Sequence, residues 1–265
     1  FRRVLFRSHA TPNVALMYKP GKFNFRASYA AGFRTPTLSE LYATDIAKKN
    51  DRLTIGNLDL KPEKNNYFSL SAEYVHERFS VSVNAFYNNI RDMIDYNTIA
   101  TGDKAMEQYG HKEVRQRDNI AEAKVHGINV SANAYLGAGF NLSGGYTHLN
   151  TQDVELEQPI DKSIKNAYNI NAQWAHSWKI YRLNINLNGR FNSKRFSKSY
   201  GYAPEYQLWD LNTRHSFNLK SVIIEPGCGM ENLFDYMDDR PYNSNYATLT
   251  PGRSFYISLS LKFKS

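Results

Sequence analysis

The chain has 265 residues, is 42% hydrophobic, and carries a formal net charge of +8 with mean hydropathy −0.59. No run of about 18 apolar residues occurs, which excludes a membrane-crossing helix, and the single Cys228 excludes an internal disulfide framework. The basic balance is compatible with nucleic acid, but Lys and Arg are scattered through the whole chain, so an anion-attracting cavity or mouth fits at least as well and no nucleic-acid partner is expected.

Residues 1–10 are short, basic and without alternation. They read as the end of a preceding loop or as a segment foreign to the protein. No charged-then-apolar leader precedes the first strand, so a leader has been removed or the chain begins inside a longer protein.

From Asn13 a pattern begins and repeats. NVALMY is followed by Lys19-Pro20-Gly21-Lys22, where Pro presets φ and Gly allows positive φ. Next comes FNFRASYAAGF, with Phe23, Phe25, Ala27, Tyr29, Ala31 and Phe33 on one face and Asn24, Arg26 and Ser28 on the other. Residues 34–63 read as a long polar loop. Strands are then predicted over 67–75 and 79–90, around a turn at 76–78. Residues 91–119 read as a long charged loop. Further pairs are predicted at 125–136 with 140–149, 167–176 with 181–191, and 206–217 with 222–234. Polar loops over 150–165, 192–205 and 235–252 separate them. The chain closes on RSFYISLSLKF. There Phe255, Ile257, Leu259, Leu261 and Phe263 share a face opposite Ser254, Tyr256, Ser258, Ser260 and Lys262.

That makes about eleven strands, joined alternately by short turns and long loops. Outer-membrane barrels have this asymmetry, whereas a soluble sandwich has no reason to keep it. A row such as Arg182, Asn184, Asn186, Asn188 and Arg190 cannot pack in a dry core without partners, but it can line a wet lumen. Nineteen Tyr residues suit aromatic girdles at two membrane interfaces. The expected fold is an all-β, antiparallel transmembrane barrel. A single-chain bacterial barrel has an even strand count and no open edge, so residues 11–265 read as the C-terminal portion of a larger barrel. The alternatives are a passive porin and a soluble Tyr-rich β-sandwich binding module.

Three motifs, in order, resemble the TonB-dependent outer-membrane receptor family. They are GFRTPTLSELY at 32–42, GNLDLKPEKNNYFSL at 56–70, and MENLFDYMDDRPY at 230–242 leading to the closing strand. The resemblance implies about half of a 22-stranded barrel whose N-terminal plug domain is absent from this stretch. It implies import of a scarce ligand, most simply a ferric siderophore or cobalamin. The implied partners are the TonB system acting through the plug, outer-membrane lipid and lipopolysaccharide, and the barrel-assembly machinery. One departure is that Phe263, the aromatic residue expected at the end, is followed by Lys264 and Ser265. Haem receptors of the family carry a His between the first two motifs. Residues 34–60 contain none, which disfavours haem.

No G-x-S-x-G elbow appears, and no enzyme is expected. The seven His residues show no metal-ligand spacing; Asp235, Asp238 and Asp239 do not have EF-hand spacing, so neither metal nor cofactor is expected. Candidate ligand contacts are the loop residues Arg34, Tyr42, Tyr96, Tyr109, Tyr200, Tyr202, Tyr242 and Tyr246, because aromatic and guanidinium groups bind planar or anionic ligands. Arg26, Arg182, Arg190 and Arg214 are expected to face the lumen. Pro36, Gly56 and Pro62 read as loop-shaping residues, with Gly56-Asn57 as a turn former.

Overall fold

Side chains that alternate with period two give each strand two unlike faces, and tight turns lay consecutive strands side by side. The computed structural model describes residues 10–197, 201–238 and 251–264. In chain order it contains β1 (Asn13–Tyr18), β2 (Phe23–Arg34), α1 (Leu38–Tyr42), β3 (Thr44–Ala47), β4 (Arg52–Ile55), β5 (Glu63–Val75) and β6 (Phe79–Thr101). Next come α2 (Gly102–Tyr109), β7 (Glu113–Gly137), β8 (Phe140–Asp153), β9 (Asn166–Trp178) and β10 (Tyr181–Asn192). The last are β11 (Arg195–Ser197), β12 (Gly201–Ala203), β13 (Tyr206–Asn218), β14 (Val222–Glu231) and β15 (Ser254–Phe263).

Eleven strands form one antiparallel path, β1-β2-β5-β6-β7-β8-β9-β10-β13-β14-β15. That is the number expected from the alternation. Among the described residues β1 and β15 each have a single neighbour, so the path is an open sheet and not a closed ring. The hairpin connections are tight. At 137–139, Gly137, Ala138 and Gly139 all have positive φ, and a Cβ on Gly139 would lie 1.9 Å from the Ala175 carbonyl oxygen.

Register keeps the two faces separate across the whole sheet. On β10, Leu183, Ile185 and Leu187 lie opposite His215, Thr213 and Leu211 on β13, and opposite His176, Trp174 and Ala172 on β9. Arg182, Asn184, Asn186 and Asn188 fall on the other face beside Ser216, Arg214, Asn212 and Asp210. Asn171 donates to the Asn186 side chain at 2.6 Å, and Ser28 meets Ser69 at 2.7 Å, so the polar face carries its own hydrogen-bond ladder.

The apolar face is uncovered. Ile257 is 88% exposed, Phe263 82% and Phe255 70%. Leaving one such side chain in water forgoes about 1.5–3 kcal/mol of burial, so a sheet-wide row of them is stable only against hydrocarbon. Among the described residues no second sheet packs on these rows, which corrects the soluble-sandwich alternative. Rings gather in two bands on this face. Phe23–Tyr74 (4.8 Å), Tyr74–Phe79 (5.5 Å), Trp178–Tyr181 (5.5 Å) and Tyr181–Phe217 (5.0 Å) lie near the turns. Tyr29–Phe68 (4.7 Å), Tyr146–Tyr168 (4.6 Å) and Tyr168–Phe191 (5.7 Å) lie toward the loops.

The loop end departs most from expectation. Residues 91–119 are not an irregular loop: β6 runs 23 residues and β7 runs 25. A membrane needs roughly 9–11, so this pair continues far past it. Register shifts between Ile90 and Ile94, with Asp92 at φ 56, mark the change. The 34–63 segment holds α1, β3 and β4, and β4 joins β7 in parallel. At the C-terminal hairpin β14 ends at Glu231, three residues short of the expected Phe234, because Asn232 turns the chain at φ 52.

Candidate functional site

The loop end is built as a small domain in its own right. Leu53, Ala105 and Val114 form a buried apolar cluster with Ile55 and Ala100 packed against it. This cluster lies beyond the sheet's two-faced region, where water surrounds the chain and burial again stabilises. Its parts come from β4, α2, β6 and β7, so the two segments read as separate loops are one unit.

Ionic ties hold that unit to the wall. Arg34, at the end of β2, donates through Nε to Glu63 Oε2 at 2.7 Å and through Nη2 to Glu63 Oε1. Its Nη1 lies 2.9 Å from Glu40 Oε2. Glu40 and Thr37 form a reciprocal capping box that starts α1. Burial opposes ionisation of Glu40, but hydrogen bonds from Arg34 and from the Thr37 backbone and hydroxyl outweigh it and bring the carboxyl down to about 2. Glu63 also accepts from the Ile94 N–H at 2.9 Å, where β6 is irregular. The Asn119 amide grips Lys61 in both directions, at 2.7 and 2.9 Å, and donates to the Asp92 carbonyl. Asp51 Oδ1 is 2.9 Å from His111 Nδ1, a hydrogen bond that holds the Asp51 carboxyl below its usual range.

Gly56 has a different role from the one expected. Its φ is not positive; instead a Cβ would lie 2.6 Å from the Leu41 carbonyl. Its N–H donates to Ala43 at 2.8 Å, so glycine permits α1 to sit against the returning chain. Asn57 makes the turn, accepting from Asp59 N at 2.9 Å. In the third motif Asn232 is 4% exposed and donates to the Tyr236 and Pro251 carbonyls while accepting from Tyr236 N. Asp235 accepts from Arg253 N at 2.7 Å, so its carboxylate closes the loop. Among the described residues no cluster of metal-ligating side chains occurs.

The candidate contacts divide. Arg34 is held between two carboxylates. Tyr42, at the end of α1, is 60% exposed, and Tyr109 ends α2 at the rim. Tyr96 is stacked under Arg117, whose Cζ lies 3.6 Å from the ring centre. Arg117 lies in the 91–119 stretch that the sequence presents as a loop, and only the register of β6 with β7 sets it opposite Tyr96. Tyr202 sits on the β11–β12 hairpin against Phe196 at 5.3 Å. Among the described residues no ring contact joins Tyr42, Tyr96 and Tyr109. Tyr200, Tyr242 and Tyr246, with Asp239, residues 1–9 and Ser265, lie outside the described residues.

On the polar face, register sets Arg26 beside Ser71, Arg182 beside Ser216, and Arg214 beside Gly227. This face carries both signs. Arg190 faces Asp210 at 3.7 Å, Lys262 faces Glu225 at 2.6 Å, and Asn24 donates to Glu73. It is a mixed polar wall and not a purely cationic path. A depression of about 530 Å³ lies between β1, β2, β5 and β6, with Val14, Leu16, Ala27 and Leu70 in its lining. Those side chains belong to the apolar face.

Comparison with known proteins follows this geometry. The family described as TonB dependent receptor-like, beta-barrel, matches residues 3–233. A point mutant of the ferric enterobactin receptor of Pseudomonas aeruginosa superposes with TM-score 0.75 at 20% identity, over 96% of this chain and 40% of that one. The ferric preacinetobactin receptor BauA of Acinetobacter baumannii gives 0.68 at 18%, over 96% and 36%. The siderophore receptor PirA of the same species gives 0.72 at 17%, over 96% and 41%. The chain thus spans about two-fifths of the length of these structures. They are receptors by name and not enzymes. With a family match over most of its length and a sheet that carries the same fold, the chain belongs to the TonB-dependent receptor family and forms part of its β-barrel.

Proposed function

We propose that this chain is the C-terminal part of the barrel wall, and half of the mouth, of an outer-membrane receptor importing a ferric siderophore of Gram-negative type. The observation that carries this reading is the two-faced single sheet. One face is Leu, Ile and Phe without cover, the other is Asn, Ser and paired charges, and a folded cap stands at the loop end. Uptake would be driven by TonB through a plug outside this stretch, with the Arg26, Arg182, Arg190 and Arg214 face turned to the lumen. In that barrel β15, with Phe255, Ile257, Leu259, Leu261 and Phe263, would close the wall. The similar structures are siderophore receptors, which supports siderophore over cobalamin as the ligand class. The ligand would meet Tyr42, Tyr96, Tyr109 and Tyr202, with Arg117 supplying the positive charge that Arg34 cannot, since ferric catecholate and hydroxamate complexes present oxygen-rich or aromatic surfaces.

The test is direct. The full-length receptor containing this chain, purified in detergent, is titrated with ferric siderophores of catecholate and hydroxamate class and with cobalamin. Quenching of intrinsic Trp and Tyr fluorescence reads out binding. Saturable binding of a ferric siderophore supports the reading; binding of cobalamin alone overturns it.

A further inference from the structure

The end of the sheet opposite the loops is strongly basic. The turns at 19–22, 76–78, 179–180 and 219–221 carry Lys19, Lys22, Arg78, Lys179 and Lys220, the turn at 138–139 is uncharged, and Lys264 follows β15 at the same end. Glu77 is the one carboxylate in these segments, so six cations against one anion leave a net +5. All six are exposed. Lys264 Nζ donates to the Leu219 carbonyl at 2.8 Å, which fixes it to this rim.

Two observations say what the charge is for. First, each cation lies within three residues of an aromatic side chain at this end of the sheet. Lys19 follows Tyr18, Lys22 precedes Phe23, Arg78 precedes Phe79, Lys179 follows Trp178, Lys264 follows Phe263, and Lys220 lies three residues beyond Phe217. Rings at the interfacial depth followed by cations one step further out match the order of acyl chain, interface and phosphate in a bilayer. Second, three cations on the same outward face at the loop end already have carboxylate partners, two of them sharing Glu122. Lys64 faces Asp92 at 3.6 Å, Arg91 faces Glu122 at 3.7 Å and Lys124 faces Glu122 at 3.7 Å. Among the described residues the side chains of Lys19, Lys22, Arg78, Lys179 and Lys220 form no ion pair.

We propose that this rim binds the phosphates of anionic phospholipids in the leaflet beside the turns, fixing the barrel's depth and enriching that lipid around its base. The inference rests on the apolar face being lipid-facing. Four of the five hairpin turns carry a cation, and neighbouring hairpins are on the order of 10 Å apart along the arc, with a wider gap at 138–139. That spacing suits separate headgroups and offers no groove or stacking platform for nucleic acid.

The experiment reconstitutes the full-length receptor in phosphatidylethanolamine nanodiscs with and without phosphatidylglycerol, then measures retained lipid by native mass spectrometry. Wild type is expected to retain phosphatidylglycerol in excess of its share, and raised salt to erase the excess. K22Q/R78Q/K179Q/K220Q is expected to lower that preference by on the order of tenfold or more, while K64Q/R91Q/K124Q leaves it intact. Equal retention by wild type and the turn-side variant overturns the proposal. So does a turn-side variant that, in nanodiscs supplemented with lipopolysaccharide, loses lipopolysaccharide but keeps phosphatidylglycerol. Should the variant fail to fold, a wild-type preference indifferent to salt overturns it by itself. Failure of the wild type to enter any bilayer would instead overturn the barrel reading.

Discussion

Arg34 and Glu63, 29 positions apart, meet as a two-pronged ion pair at the loop end of the β2–β5 ladder. Arg34 belongs to the first family-like motif and Glu63 to the second, so the two motifs are halves of one joint. The joint also takes in Glu40, which starts α1, and the Ile94 N–H, where β6 leaves the regular ladder.

Arg34→Lys keeps the charge and loses the fork; Arg34→Ala leaves two carboxylates without their cation. Both are expected to loosen the 34–62 segment, the second by about 1–2 kcal/mol of local stability because Arg34 is partly solvent-screened. Hydrogen exchange over α1 and β4 checks this. The membrane-embedded strands should keep their protection in both variants.

The pH dependence of the joint follows from Glu40. Its carboxyl titrates at about 2 in the folded chain against an ordinary 4.5. A depressed folded value means the stabilisation is fully present above about 4.5 and is lost as pH falls toward about 2. Proteolytic nicking in 34–62, followed downward from pH 5 with an acid-active protease, should rise across that window. Glu40→Gln should show the raised rate already at pH 5.

Asn232→Ala removes the side chain that ties Tyr236 and Pro251 together and leaves at φ 52 a residue without the short polar side chain that makes this backbone region tolerable. A loss of about 2–4 kcal/mol is expected from the hydrogen bonds and the backbone together. Asn232→Asp, which retains the acceptor but not the donor, should fall between. Thermal unfolding of the detergent-solubilised receptor measures both.

At the mouth, Arg117→Ala strips the cation from Tyr96 without touching the Arg34 joint. Ferric siderophore affinity should fall by roughly tenfold, in line with a desolvated cation–aromatic contact. Arg117→Lys should recover part of it. Unchanged affinity in both variants would remove this pair from the ligand site.

The strands were legible because alternation is a local property: Tyr181 to Asn192 shows both faces without any partner. The extension of β6 and β7 was not. Above the membrane a strand is wet on both sides, so residues 91–101 and 113–123 lose the apolar beat that marks the rest. Residues 34–63 read as a loop because the five-residue α1 has too short a periodic stretch to stand out; its Thr37–Glu40 cap is evident only in the structure. Tyr96 and Arg117 are brought together only by the register after an irregular stretch, and Asn232 reaches Pro251 only through the closed loop. Gly56 was visible as a glycine, yet its reason is the approach of Leu41 and not a turn.

The account depends on which face of the sheet meets lipid. Single nitroxide labels at each position from Leu183 to Asn188, in the full-length receptor reconstituted in bilayers, report collision with oxygen and with a water-soluble nickel chelate. Positions 183, 185 and 187 should collide with oxygen, and 184, 186 and 188 with the chelate, in strict alternation. If the odd positions are shielded from both reagents, those side chains lie in a sealed protein core and the membrane wall described above is contradicted.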